Sequence, residues 1–299
     1  MQLSVVIITF NEEANIGRTL ASVQPLVADG KGEIIVVDSG STDRTVEIAK
    51  SFGARIFVEE WKGFAAQKNS AIDKATGDWI LSLDADEELD SKAPQAIAEA
   101  ISNPTPAAAW QIERPDRTSE QDSLSTIEPV MAAEEGTGLS VSDIRLSGYW
   151  IHRKNHFLGR WMKHGGFWPD PKLRFFRRGA GRFEDRAVHE DIQVVGNAHR
   201  IRIGALIHHS YPTLSDYIEH MNRYSSLGAE MVVAKGPVRF SFINIVLRPV
   251  FTFIYNYFFR LGFLDGREGL LLHLFHAVYV SWKYAKAWEL SHAQNKSSS

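Results

Sequence analysis

Two carboxylates separated by a single alanine stand where an apolar run ends, in Leu81-Ser82-Leu83-Asp84-Ala85-Asp86-Glu87-Glu88. In extended chain, residues two apart project to the same side, so Asp84 and Asp86 can face one cation. Hard oxygen ligands suit Mg2+ or Mn2+, an ion that would bridge the two phosphates of a nucleotide-sugar and neutralise the departing diphosphate. Taken alone, the pair reads equally well as the solvated start of a loop. Two more polar turns follow apolar runs: Thr9-Phe10-Asn11-Glu12 and Asp38-Ser39-Gly40-Ser41-Thr42-Asp43. Carboxylates and backbone groups there could hold a base and a ribose, while helix capping accounts as well for Asn11 and Thr42, and an Asx turn for Asp38. The first turn lacks G-x-G-x-x-G, and the chain has no G-x-x-x-x-G-K-[ST], which argues against a dinucleotide cofactor and against a triphosphate cradle.

The elements that must carry these groups are legible from periodicity. Leu3 to Ile8, Glu33 to Asp38, Arg55 to Glu59 and Trp79 to Leu83 read as strands, alternating with helices, as in a mostly parallel sheet covered on both faces. Asn11 is a candidate cap for a helix carrying Ile16, Leu20 and Val23, and Thr42 or Ser41 for one carrying Val46, Ala49 and Phe52. In such sheets ligands bind at the carboxyl ends of the strands, where the three polar turns fall. Residues from Arg114 to Arg145 are rich in Ser, Thr, Glu, Pro and Gly without period, the pattern of a poorly ordered surface insertion.

A net charge of -3 and a pI near 6.4 provide no global field to gather nucleic acid, so phosphate recognition must be local. The absence of cysteine excludes disulfides, thiolate metal sites and a cysteine nucleophile. Met1 to Ile8 lacks a basic region and a small-residue cleavage site and reads as a buried strand. No apolar run reaches the roughly 18 to 20 residues that span a bilayer, so membrane contact, if any, is peripheral. Later in the chain, Lys172 and Arg174 alternate in a strand-like segment. They face anionic groups of donor or acceptor, or else line a solvated edge. Trp150 to Phe157, with Trp161 and Trp168, offers stacking faces for sugars if exposed and ordinary core if buried. Phe240 to Phe259 and Leu270 to Trp288 mix aromatics with Arg and Lys. That pattern fits amphipathic helices in an anionic interface, or a helical hairpin packed on the protein.

The segments Val5-Val6-Ile7-Ile8-Thr9-Phe10-Asn11-Glu12-Glu13, Val36-Val37-Asp38-Ser39-Gly40-Ser41-Thr42-Asp43 and Leu83-Asp84-Ala85-Asp86 resemble the family 2 glycosyltransferases. Trp61 to Asn69, Phe157 to Trp161, Trp168 to Arg174, Val188-His189-Glu190 and Gly262 to Arg267 extend the resemblance over nearly the whole chain, toward lipopolysaccharide core glucosyltransferases of the WaaE and KdtX type. The resemblance implies a GT-A fold over residues 1–235, with the insertion at about 114–146, followed by a helical, membrane-associating region at 236–299. It implies an inverting transfer of a hexose, glucose from UDP-glucose, to an inner-core or other lipid-linked acceptor on the cytoplasmic face of the inner membrane. Thr9, Asn11, Glu12 and Asp38 would line the nucleotide pocket with Lys68 nearby. Asp84, Asp86 and His208 would meet Mg2+ or Mn2+ and the diphosphate, with Asp86 the direct ligand. Glu190 would be the base, with Asp191 its competitor. His208 and His209 read equally as strand caps. Rival readings are polysaccharide repeat-unit synthesis on a lipid carrier, a haloacid-dehalogenase-like phosphoryl transfer, and a silent sugar-nucleotide-binding protein. The dehalogenase site normally lies on the first strand, whereas this pair ends the fourth.

Overall fold

The computed structural model describes residues 2–103, 146–184 and 192–297. The insertion from Arg114 to Arg145 and the acidic motif with Glu190 and Asp191 lie outside the described residues.

The apolar runs form β1 (Leu3–Thr9), β2 (Gly32–Asp38), β3 (Arg55–Val58) and β4 (Trp79–Asp84), paired in parallel in the order β3-β2-β1-β4. Between them run α1 (Ile16–Val27), α2 (Thr45–Ser51) and α3 (Phe64–Asp73). Because successive side chains alternate across a strand, Val5 and Ile7 enter one core with Ile16, Leu20 and Val23 of α1, while Val6 and Ile8 enter a second with Ala65, Ala71 and Ile72 of α3. Each fully buried aliphatic side chain contributes about 1.5–3 kcal/mol. The sheet is therefore clamped from both faces, and its strand ends are fixed platforms.

Beyond β4 the sheet becomes mixed. β5 (Glu87–Leu89) and α4 (Ala93–Ser102) precede β6 (Leu146–Phe157), β7 (Arg160–Trp161) and β8 (Pro171–Arg177). β9 (Gly181–Phe183) and β10 (Ile192–Val194) form a separate antiparallel pair, and β11 (Asn197–Tyr211) returns to the main sheet. The order is β3-β2-β1-β4-β8-β6-β11-β5, with β7 on β6. β8 runs antiparallel between β4 and β6, so Lys172 and Arg174 stand on an interior strand and not on a solvated edge.

The expected helix caps are corrected by the structure. Asn11 has left-handed φ of 53°, five residues before α1, and its Oδ1 accepts the Thr42 N–H at 2.8 Å. Ser41 Oγ accepts the Asn11 N–H at 2.8 Å, and the Thr45 N–H that opens α2 is taken by Asp43 Oδ1 at 3.0 Å. Bonds between the first two loops outcompete local capping, so these residues fix the loops to each other.

At the carboxyl end, α5 (Leu214–Val233) starts in a capping box between Thr213 and Asp216. α6 (Arg248–Ile254) is extended on both sides by wider, π-type turns over 243–247 and 255–259, and a short turn, Gly262–Asp265, leads into α7 (Gly266–Ser297). Pro249 has no N–H to give the Ile245 carbonyl, which instead accepts Ser281 Oγ of α7 at 2.8 Å. α5 and α6 both pack on α7. Phe157, Met162, Tyr217 and Leu272 form a third core joining these helices to the end of β6. No helix among the described residues is long and apolar enough to cross a membrane.

Candidate active site

Three adjacent parallel strands deliver the polar turns to one rim. Thr9 stands in register with Asp38, and Ile8 with Asp84. Asp38 is buried and spends its Oδ2 on its own turn, accepting the Gly40 and Ser41 N–H groups at 2.9 and 2.8 Å. It therefore shapes the loop from within. Thr9 Oγ1, at the end of β1, and Ser39 Oγ, just past the end of β2, find no hydrogen-bond partner among the described residues, so this rim retains polar capacity for a ligand. Glu12 is half-buried, accepts Asn15 Nδ2 at 2.7 Å and donates its N–H to Thr45 Oγ1 at 2.7 Å. Burial pushes its carboxyl pKa up; the Asn15 bond opposes this, and the charges of Asp86, Asp43 and Asp84 add to it.

Asp84 closes β4 between two cations. Its Oδ1 lies 2.8 Å from Lys68 Nζ of α3 and its Oδ2 2.7 Å from Arg174 Nη2 of β8. Burial alone would raise its pKa, but Arg174 and Lys68 outweigh that and hold the carboxyl far below the ordinary range. Arg174 also reaches Glu87 at 3.1 Å. Glu87 is fully buried and receives Arg153 at 3.2 Å. Burial disfavours the Arg174 cation, yet Asp84 and Glu87 overcome it and push its pKa up. Arg153 continues to Asp170 at 3.0 Å, and Asp170 meets Lys172 at 3.2 Å.

Asp86 leaves this network and faces His208 of β11, Oδ2 to Nε2, at 3.1 Å. Burial and the neighbouring Asp84 charge raise the Asp86 pKa, but His208 and a backbone hydrogen bond together outweigh them and hold the carboxyl below its ordinary value. Asn155 orients the ring. Its Nδ2 donates to Asp170 Oδ2 at 2.9 Å, which leaves its Oδ1 as acceptor for His208 Nδ1 at 3.0 Å. Ser210 Oγ meets the same Nδ1 at 2.7 Å, so two polar neighbours fix the plane of the ring and aim Nε2 at the Asp86 carboxylate.

Among the described residues, no group of three or more His, Cys, Asp or Glu is placed to hold a metal unaided. The donor set nonetheless fits Mg2+ or Mn2+, because such ions commonly take one or two protein ligands and complete their shell with water and substrate phosphates. Lys68, Arg153, Lys172 and Arg174 are each already paired with Asp84, Glu87 or Asp170, so their positive charge is engaged within the site.

Of the residues singled out in the sequence, Lys68 and Arg174 meet on Asp84, while Asp86 and His208 form a separate pair beside them, Thr9 and Asp38 end the neighbouring strands, and Lys172 joins through Asp170. Asn11 stands apart, bound to the second loop. His209 pairs with Glu88 at 3.0 Å. Trp161 and Trp168 are half-buried against each other, with Lys163 over the Trp161 ring. Sequence reasoning missed Glu87, Arg153, Asn155 and Asp170. For Asp170 a signal existed: with Lys172 and Arg174 it repeats at i, i+2 and i+4, one face of a strand.

The family model described as Glycosyl transferase family 2 matches residues 4–180. The lipopolysaccharide core biosynthesis glycosyltransferase LpsC of Rhizobium meliloti is 28% identical over 97% of this chain and 93% of its own. An uncharacterised glycosyltransferase of Rickettsia typhi is 27% identical over 97% of this chain and 88% of its own. Glucosyl-3-phosphoglycerate synthase from Mycobacterium tuberculosis, solved with Mn2+, UDP and glucosyl-3-phosphoglycerate, is 30% identical over 34% of this chain and 38% of its own, with a TM-score of 0.29.

Proposed function

The chain belongs to glycosyl transferase family 2, and on that premise we propose that it moves a hexose, glucose from UDP-glucose, onto a lipid-linked glycan of the lipopolysaccharide inner core with inversion at the anomeric carbon. The observation that carries this reading is the convergence of Asp86 and His208 at 3.1 Å beside Asp84, on the strand-end rim that also holds Thr9 and Asp38. Thr9, Asn11, Glu12 and Asp38 frame the nucleotide. Lys68 and Arg174 hold Asp84 ionised and lie close enough for diphosphate oxygens to share them. Asp86 and His208 would hold Mg2+ or Mn2+, which when bound supplies charge neutralisation to the leaving diphosphate.

In the transfer, an acceptor hydroxyl attacks the anomeric carbon from the side opposite the diphosphate, a carboxylate takes its proton, and the electron pair of the breaking bond leaves with the diphosphate. Glu190 is the base in this reading, with Asp191 the competitor. Both stand between β9 and β10, and the ring of Phe183, the last residue of β9, lies 5.1 Å from Lys68 Nζ, which supports a base reaching the site from that connection. The lipopolysaccharide acceptor follows the Rhizobium meliloti relative, aligned over nearly the whole of both chains.

Residues 1–235 form the catalytic part in this proposal, and 236–299 rest on the cytoplasmic face of the inner membrane. Support comes from Phe242, Phe251 and Phe259, exposed at 59%, 65% and 75%, with exposed Arg239 and Arg248 among them. Each basic group near an anionic leaflet contributes about 1 kcal/mol.

A screen of nucleotide-sugars against inner-core and lipid-carrier acceptors tests the function. The expected result is divalent-cation-dependent release of UDP from UDP-glucose with an inner-core acceptor. Nucleotide-sugar that is bound but never consumed with any acceptor points instead to a silent binding protein.

A further inference from the structure

The turn between α6 and α7 reaches back to the active-site sheet through one buried carboxylate. Asp265 is 2% exposed, yet it belongs to no part of the site described above. Its Oδ2 accepts the Lys163 and His164 N–H groups at 3.0 and 2.8 Å, and its Oδ1 meets His164 Nδ1 at 2.8 Å. The same loop is held at a second point, where Gly165 N–H donates to the Arg260 carbonyl at 2.8 Å. Gly165 and Gly262 both press on the buried ring of His273, leaving neither room for a Cβ. The loop over residues 162–170 is thus docked on the α6–α7 turn along its first half.

Its ends are tied to β6. Met162 N–H donates to the Asn155 carbonyl at 2.9 Å, and Arg153 N–H to the Asp170 carbonyl at 2.8 Å. Asp170 then fixes the side chains of both Asn155 and Arg153. Asn155 orients His208 toward Asp86, and Arg153 holds the buried Glu87. A continuous line of short bonds therefore runs from Asp265 to the Asp86–His208 pair.

We propose that Asp265 is a positioning residue for that pair, setting the orientation of His208 through the 162–170 loop, Asp170 and Asn155; the proposal rests on the reading of Asp86 and His208 as the metal–diphosphate ligands. Asp265 touches no reacting atom. Its effect is the one that outer partners of metal ligands exert, through ring orientation and tautomer. The carboxyl-terminal helices accordingly serve the chemistry as well as any membrane contact.

The test is Mn2+ affinity of the full chain with UDP present, read by titration calorimetry or by the EPR signal of free Mn2+. Asp265→Ala should weaken Mn2+ at least about tenfold, the lower range for loss of an outer-shell partner, while UDP binding without metal stays at the wild-type value. Asp265→Asn, whose amide oxygen can still accept the Lys163 and His164 N–H groups, should recover most of the loss. If Asp265→Ala does not fold, His164→Ala removes one arm of the clamp and should give a smaller weakening in the same direction. Wild-type Mn2+ affinity in the folded variants, alongside its loss in Asp86→Ala, overturns the proposal and leaves Asp265 a staple of the helices alone. Wild-type affinity in Asp86→Ala itself identifies the metal reading as the error, and the proposal falls with the site it serves.

Discussion

Arg174→Met removes the guanidinium that stands 2.7 Å from Asp84 and 3.1 Å from Glu87 while keeping an unbranched stem in the same space. Asp84 is left with Lys68, and Glu87, fully buried, with Arg153 and the Asp84 N–H. Removing one partner of a buried ion pair costs about 3–5 kcal/mol, because the remaining charge cannot be rehydrated. Each kcal/mol moves Tm by about 2–4 °C in domains of 150–250 residues, so the variant should melt roughly 6–20 °C below wild type. The pH dependence has a definite sign. Burial would raise the Asp84 pKa, but Arg174 and Lys68 lower it well beneath its ordinary 3.8. A depressed carboxylate contributes stability that is present above the unfolded pKa and lost as pH falls through the folded one. The gap between wild type and variant is therefore full near neutrality and closes as pH falls below about 4. Differential scanning calorimetry across that range measures it. A Tm within about 2 °C of wild type at neutral pH, or a gap that widens on acidification, refutes the assignment of Arg174 as the bridging cation.

Glu12→Gln should act in the opposite sense. The raised folded pKa of Glu12 means the ionised form is penalised, so the metal-free variant should be more stable than wild type at neutral pH. That gain should vanish as pH falls below 4.5, and melting curves at both ends of the range check it. Phe251→Asp with Phe259→Asp should abolish flotation with anionic vesicles while leaving the melting temperature near wild type, since both side chains are exposed. Retained flotation would sink the membrane reading. Whichever of Glu190→Gln and Asp191→Asn removes the base should lower kcat by about 10²–10⁴-fold, with donor binding unchanged; equal, small losses in both would place the base elsewhere.

The parallel half of the sheet was legible because strands buried on both faces must be continuous apolar runs, and the polar residues that end them cannot be hidden in the core. That logic located Thr9, Asp38 and Asp84 on one rim before any contact was known. It could not find Glu87, since a glutamate following Asp86 looks like a solvated turn until Arg153 and Arg174 arrive from strands 66 and 87 residues further along. The capping of α1 and α2 was misread for a related reason. Asn11 and Ser41 have the chemistry of caps, but partners in the other loop, 30 and 31 residues away, claim them first. Asp265 was visible within Gly262-Phe263-Leu264-Asp265-Gly266-Arg267, yet its acceptors' partners lie about a hundred residues earlier in the chain. Local patterns identify which residues carry chemistry; long-range pairing decides what each one holds.

The most direct measurement is UDP release from UDP-glucose by the wild-type chain and by Asp86→Ala, followed over a Mn2+ titration with an inner-core acceptor. The expected result is saturable Mn2+ dependence in the wild type and a loss of about 10²-fold or more in the variant, the scale of removing a principal electrostatic contact to the leaving group. Wild-type turnover and unchanged Mn2+ dependence in Asp86→Ala would contradict the metal–diphosphate site at the end of β4.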